Sequence, residues 1–149
     1  MKWSDCKDAF RADGSLRDIY VRNTTEDDWN RLFAAFSKYE MTLFCDGDPS
    51  PEIEVPAAIF ERCNEHHYRL EMLAKGITFQ CHFFTVDEIE IDVDPKEIKS
   101  QQDLDVVLDV MGAIGRALAK PVILTEEATQ NYVWIAFDPA TSACKYFAY

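Results

Sequence analysis

Apolar and polar residues recur with different periods along the chain, and each change of period predicts an element. The segment "LRDIYVRN" at 16–23 is rich in β-branched and aromatic residues, which is typical of a strand. After it, Thr24 or Thr25 offers an N-cap, and the helical spacing of the next apolar residues predicts a helix carrying Trp29, Leu32, Phe33 and Phe36 on one side. A second strand is predicted at 41–46, followed by a short helix that Pro56 opens.

Three strands are predicted in quick succession, around 68–74, 77–84 and 88–94, and their tight connections indicate an antiparallel meander. The clearest helix begins after Ser100, ends before Pro121 and has one apolar stripe made of Leu104, Val107, Leu108, Met111, Ile114 and Leu118. The tail adds further strands. We therefore expect one α+β domain over 1–149, a mostly antiparallel sheet with a central meander and two main helices packed on one face.

The register of the meander follows from parity, because a slip of one residue would turn the buried side chains toward solvent. A two-residue Lys75-Gly76 turn fixes the first hairpin. Matching apolar residues with apolar residues then predicts the pairs Met72–Phe79, Leu70–Cys81, Arg69–His82, Glu71–Gln80, Phe83–Ile89, Cys81–Ile91, His82–Glu90, Gln80–Asp92 and Thr78–Asp94.

The third strand of the meander carries carboxylates at alternate positions, all on its polar side. A solvent-exposed sheet face is the ordinary explanation for this pattern. Nevertheless, like charges spaced about 7 Å apart along a strand repel one another, and a basic partner would relieve that repulsion. The candidate partner-binding residues are Glu88, Glu90, Asp92 and Asp94 for charge, with Arg69, His82 and Phe84 for orientation.

Charge and composition narrow the class of partner. The 149 residues include 27 acidic and 15 basic side chains, a net charge of −12 that opposes binding to nucleic acid or to an anionic membrane and attracts basic proteins. The start "MKWSDCKDAF" lacks a signal-peptide core, so we expect a cytoplasmic protein. Its five cysteines contain no CxxC pair, which favours reduced thiols.

Motifs for hydrolysis, phosphate binding and zinc proteolysis are absent from the sequence. The run "ERCNEHHY" contains Cys63, His66 and His67. Cys81 and His82 would complete a set of zinc ligands with them. Cys81 and His82 point to opposite sheet faces, however, so a helix end running into a loop explains the run better. No catalytic residue, metal ligand or cofactor is assigned.

Three segments carry a resemblance that covers most of the chain: "GSLRDIYVRNTTEDDW" (14–29), "CHFFTVDEIEIDVDPKEI" (81–98) and "KPVILTEE" (120–127). They resemble a family of small acidic bacterial proteins without assigned activity. In size and charge, such proteins are similar to the immunity proteins that neutralise toxins delivered between competing bacteria. The resemblance implies no catalytic residues.

The predicted function is therefore that of an acidic cytoplasmic immunity protein, which neutralises a bacterial toxin by binding a basic protein partner directly. Two alternatives stay open. One is a small enzyme or metal-dependent protein that uses His82, Glu90 and Asp92. The other is a self-assembling structural subunit whose tail "CKYFAY" packs against another copy. The sequence leaves the oligomeric state open.

Overall fold

The computed structural model describes all 149 residues and has an α+β architecture, as the sequence predicts. Its α-helices are α1 (Trp3–Cys6), α2 (Glu26–Phe36), α3 (Pro56–Arg62) and α4 (Gln101–Leu118). Its strands are β1 (Arg17–Arg22), β2 (Glu40–Cys45), β3 (Asp48–Pro49), β4 (Tyr68–Ala74), β5 (Ile77–Thr85), β6 (Glu88–Val93), β7 (Val122–Glu126), β8 (Val133–Asp138) and β9 (Ala143–Tyr146).

All nine strands form one antiparallel sheet in the order β3-β2-β4-β5-β6-β1-β7-β8-β9. The predicted meander is β4, β5 and β6, which are neighbours in the sheet. Strand β1, the first in the chain, lies between β6 and β7 and joins the meander to the three C-terminal strands. The charged residues of β1 therefore lie beside those of β6.

The register of the meander is largely the predicted one. Lys75 and Gly76 have φ angles of 46° and 85°, as a type I′ hairpin turn requires, and the ladder between β4 and β5 has all four predicted pairs. The ladder between β5 and β6 keeps Cys81 opposite Ile91 and His82 opposite Glu90.

One predicted pair of the β5–β6 ladder is wrong. A β-bulge between His82 and Thr85 places both Phe83 and Phe84 across from Ile89, so the simple Phe83–Ile89 pair is lost. At the other end the ladder ends at the pair Phe79–Val93, so the predicted Thr78–Asp94 pair lies just beyond it, and the Thr78 amide donates to the Glu97 carboxylate (3.2 Å).

The hydrophobic core combines alternate strand residues with the apolar sides of the helices. Thr25 caps α2 through a reciprocal pair of hydrogen bonds with Asp28, and Ser100 caps α4. Helix α2 contacts both α3 and α4. Most residues of the two predicted helical stripes are buried in the same cluster as the strand residues: Trp29, Leu32, Phe36, Leu104, Val107, Met111, Ile114 and Leu118.

The segment before β1 is attached to the sheet through one buried arginine. The Arg17 side chain is 1% exposed. Its guanidinium donates to the carbonyl oxygens of Ala9 (2.5 Å), Arg11 (3.1 Å) and Leu16 (2.8 Å). These bonds hold the turn of 3-10 helix at Lys7–Phe10 against the edge of the core. None of the helices combines the length and the apolar composition needed to cross a bilayer.

Candidate functional site

Polar residues of β1 lie directly opposite the acidic residues of β6. The cross-strand pairs are Asp18 with Asp92, Tyr20 with Glu90 and Arg22 with Glu88. Two carboxylates in direct opposition, as at Asp18 and Asp92, destabilise a sheet unless a cation is supplied. We use the name acidic face for the polar surface of the central strands formed by Asp18, Tyr20, Arg69, His82, Glu88, Glu90 and Asp92.

His82 supplies part of the missing positive charge, but to Asp92 and not to the directly opposite Glu90. Its Nε2 atom lies 2.5 Å from Asp92 Oδ2, and the two side chains are only 18% and 15% exposed. The hydrogen bond to Asp92 raises the pKa of His82, against the opposing effect of burial. The other ring nitrogen, Nδ1, is buried without a hydrogen-bond partner. The hydrogen bond to Asp92 therefore favours the protonated form of His82.

The pKa of His82 predicts how stability depends on pH. A folded-state pKa above the ordinary value of 6.5 means that the folded protein binds the proton more tightly. This contribution is complete below pH 6.5 and is lost as the pH rises through the folded pKa. We expect the free energy of unfolding, measured by urea titration, to fall as the pH rises above about 6.5, and to fall less in Asp92→Asn.

The exposed His67 provides the control for that titration. His67→Gln should keep the wild-type dependence on pH, because its imidazole faces solvent. An equal dependence in wild type and Asp92→Asn would show that the hydrogen bond to Asp92 does not control the ionisation of His82.

Asp18 and Glu90 are the two carboxylates of the acidic face whose pKa values are raised. Burial is the main cause that raises the pKa of each, and nearby carboxylates raise it further. Asp18 accepts hydrogen bonds from the Ala128 amide (2.7 Å) and the Tyr20 hydroxyl (3.1 Å), whereas no Lys or Arg pairs with Asp18 or Glu90. An incoming cation would lower the free energy of these two groups in their ionised form.

Arg69 faces the groove beside the acidic face but is already engaged. It donates to Gln80 Oε1 (2.6 Å) and lies 3.7 Å from Glu71. The groove has a volume of about 290 Å³, and its lining includes Arg69, Gln80, His82, Asp92, Asp94 and Glu97. The groove is thus lined by both signs of charge.

Asp94 and Glu88 lie at the two ends of the acidic row and have local partners. Asp94 caps the 3-10 helix Pro95–Glu97 by accepting from the Lys96 amide (2.9 Å). Glu88 accepts from the Gln130 side chain (2.8 Å), which also accepts from Arg22. Of the two residues in the middle of the row, Asp92 has His82 as its partner, so Glu90 has the least compensated charge.

Phe84 is the apolar member of the site. The residue is 64% exposed, and its ring stacks on the His82 imidazole at 5.1 Å between centroids. Two hydrogen bonds fix the β5–β6 turn beside it: the Val86 carbonyl accepts from Thr24 Oγ1 (2.7 Å) and from Trp29 Nε1 (2.9 Å). An exposed aromatic ring on a fixed turn is a suitable anchor for a protein partner.

Sequence reasoning missed Asp18 and Tyr20 as members of the site. Their alternation in "RDIYVR" was visible, but the neighbour of β1 in the sheet was not. The predicted residues Arg69, His82, Asp92 and Asp94 meet in the groove, Glu90 lies beside His82, and Glu88 and Phe84 lie toward the β5–β6 turn.

Comparison of the chain with protein-family models, with curated proteins and with solved structures finds no match in any of the three. The resemblance to small acidic bacterial proteins stays a prediction from the sequence. The function must be inferred from the acidic face itself.

Proposed function

We propose that this chain is a cytoplasmic protein-binding protein of the immunity type, which neutralises a bacterial toxin by covering a basic surface of that toxin with the acidic face. The observation that carries the proposal is a pair of carboxylates, the buried Asp18 and the partly buried Glu90, that lack a Lys or Arg partner. In this proposal both long helices, α2 and α4, pack on the opposite side of the sheet, and the acidic face is left free for the partner.

The charge arrangement suits recognition of a basic protein in two ways. The net charge of −12 accelerates encounter with a cationic surface, and the central row at Glu90 and Asp92 concentrates that attraction. The exposed Phe84 ring provides apolar contact beside the charges. Specificity follows because a partner without matching cations would leave these carboxylates desolvated and unpaired.

Neutralising the row should slow association with the partner while the fold persists. We expect the variant Glu88→Gln, Glu90→Gln, Asp92→Asn, Asp94→Asn to associate about tenfold or more slowly at low ionic strength, because electrostatic steering raises association rates by at least that factor. Affinity capture from a bacterial lysate supplies the partner. Stopped-flow association with the purified captured protein, at several salt concentrations, provides the measurement.

A second four-acid variant separates this site from a general effect of net charge. Glu52, Glu61, Glu65 and Asp109 are exposed and make no ion pair, so their replacement by Gln or Asn removes the same four charges elsewhere. This control should retain most of the association rate. If both variants lose the rate equally, the acidic face is not the docking surface.

An enzyme that uses His82 is the second candidate, and the hydrogen bond to Asp92 is the observation that favours it, because a carboxylate often orients a catalytic imidazole. Here, however, Nε2 is occupied by Asp92 and Nδ1 is buried. No ring nitrogen is presented to a substrate. The geometry supports a structural role for His82, as the partner of Asp92, more strongly than a role in proton transfer.

A further inference from the structure

A second cluster of chemically active side chains lies at the start of the meander, where the segment before β4 meets the end of β2. Cys45 ends β2, Asp46 begins the turn to β3, and His66 lies just before β4. One ligand atom from each residue, a thiol sulfur, a carboxylate oxygen and an imidazole nitrogen, falls within 4.8 Å of the other two. No acidic-row residue belongs to this cluster.

The backbone around the cluster is fixed by the fold. Asp46 and Gly47 have φ angles of 51° and 86°, which gives the β2–β3 hairpin a type I′ turn. The Asp46 amide donates to the His67 carbonyl, and the His67 amide donates to Asp46 Oδ1, both at 2.8 Å. The turn and the segment before β4 are thus clamped together, so the three side chains are held in one place before any ligand arrives.

We propose that Cys45, Asp46 and His66 form a binding site for a divalent transition metal of the zinc class. Sulfur and oxygen ligands at about 2.3 and 2.0 Å from a tetrahedral zinc ion lie about 3.5 Å apart, so a ligand-atom distance at the 4.8 Å limit would shorten by about 1.3 Å and the 2.6 Å contact between His66 and Asp46 would lengthen by about 0.7 Å. Thiolate and imidazole ligands exclude magnesium and calcium, which require oxygen ligands.

The charge and exposure of the cluster also fit such an ion. A thiolate and a carboxylate together neutralise a divalent cation, and the hydrogen bond from His66 to Asp46 (2.6 Å) is replaced by two bonds to the metal. The side chains of His66 and Asp46 are 44% and 52% exposed, whereas Cys45 is partly buried. Solvent can therefore supply the fourth ligand, as in zinc sites with three protein ligands.

The neighbouring residues support the same assignment. Tyr68 lies opposite Cys45 in the β2–β4 ladder and is buried, so it limits the movement of the thiol. The nearby Arg62 guanidinium, 5.7 Å from the Tyr68 ring, is paired with Glu54 and does not compete for the ligands. Of the residues in the run "ERCNEHHY", the proposed site includes only His66, and the end of β2 and the β2–β3 turn supply its other two ligands.

Cobalt provides a direct test, because thiolate-bound Co²⁺ has a charge-transfer absorption that oxygen and nitrogen ligands do not produce. The full chain, reduced and freed of metal by chelation, is titrated with Co²⁺ and then with Zn²⁺. We expect one equivalent of Co²⁺ to bind with a thiolate band, and Zn²⁺ to displace it. Cys45→Ser should abolish the band, and Asp46→Asn and His66→Gln should weaken binding about tenfold or more.

Two matched variants use the other residues of the run "ERCNEHHY". Cys63→Ser and His67→Gln change the same residue types outside the proposed ligand set and should leave the band and the affinity unchanged. Thermal unfolding of each metal-free variant shows whether the fold persists; Asp46→Asn is the mildest change, since asparagine tolerates a positive φ. A protein that binds no Co²⁺, or a band that survives in Cys45→Ser, overturns the proposal.

Discussion

Arg17→Met is expected to lower the free energy of unfolding by about 3–5 kcal/mol, because removing one partner of a buried, hydrogen-bonded charge leaves the other groups unsatisfied. The carbonyl oxygens of Ala9, Arg11 and Leu16 would lose their donor, and methionine cannot replace it. Urea unfolding followed by far-ultraviolet circular dichroism measures the loss. Hydrogen exchange should accelerate first in the segment before β1, which Arg17 attaches to the sheet.

Arg11→Met serves as the comparison for that experiment. The Arg11 side chain is 74% exposed and pairs only with the exposed Asp8, so its loss should change stability by about 0.5 kcal/mol or less. Similar losses in the two variants would mean that the Arg17 hydrogen bonds contribute little, and that the N-terminal segment is held by its apolar contacts alone.

Trp29→Ala should also cost about 3–5 kcal/mol, the usual range for truncating a large buried aromatic residue. Trp29 is fully buried, and its ring lies 5.0 Å from Phe60 and 5.3 Å from Phe83 between centroids. Truncation leaves a cavity beneath the bulge that presents Phe84. The same urea titration measures the loss of stability, and partner association should slow as well, because Trp29 no longer supports the β5–β6 turn.

Trp29→Phe separates the loss of packing from the loss of the hydrogen bond to the Val86 carbonyl. Phenylalanine retains most of the packing and removes only the bond to the Val86 carbonyl, which Thr24 still satisfies. Stability should then fall by less than half as much as in Trp29→Ala. Trp3→Ala, at a partly exposed tryptophan against Phe10, should also be milder. Equal losses in all three variants would contradict the central role of Trp29.

The part of the fold predicted from the sequence is the part governed by local pattern. Parity and the Lys75-Gly76 turn were enough to pair Arg69 with His82, because neighbouring strands joined by a tight turn have few possible registers. The position of β1 beside β6 depends on contacts between distant segments, and no periodicity encodes it. The bulge after His82 was missed because pairing Phe83 with Ile89 assumed an unbroken ladder, although the adjacent apolar residues Phe83 and Phe84 interrupt the alternation there.

For the candidate site, the sequence predicted which side of the strand each residue occupies but not the electrostatic environment of these residues. The side of the strand occupied by Glu90 and Asp92 followed from alternation, and so did the shared face of His82. Their electrostatic environment did not, because Asp18 approaches from a strand at the other end of the sequence. The choice of Asp92 over Glu90 as the partner of His82 depends on side-chain rotamers, which a sequence pattern does not specify.

The central position of β1 also has a consequence for biosynthesis. This strand leaves the ribosome before every other strand, yet Ile19 finds its partners in Ile91 and, much later, in Leu124. Pairing between such distant segments is slow, because a long loop must close before any contact forms. Until β7 is made, one edge of β1 stays open to other chains. Nascent or truncated chains that lack strands β7, β8 and β9 should therefore depend on chaperones, whereas a chain with all nine strands should not.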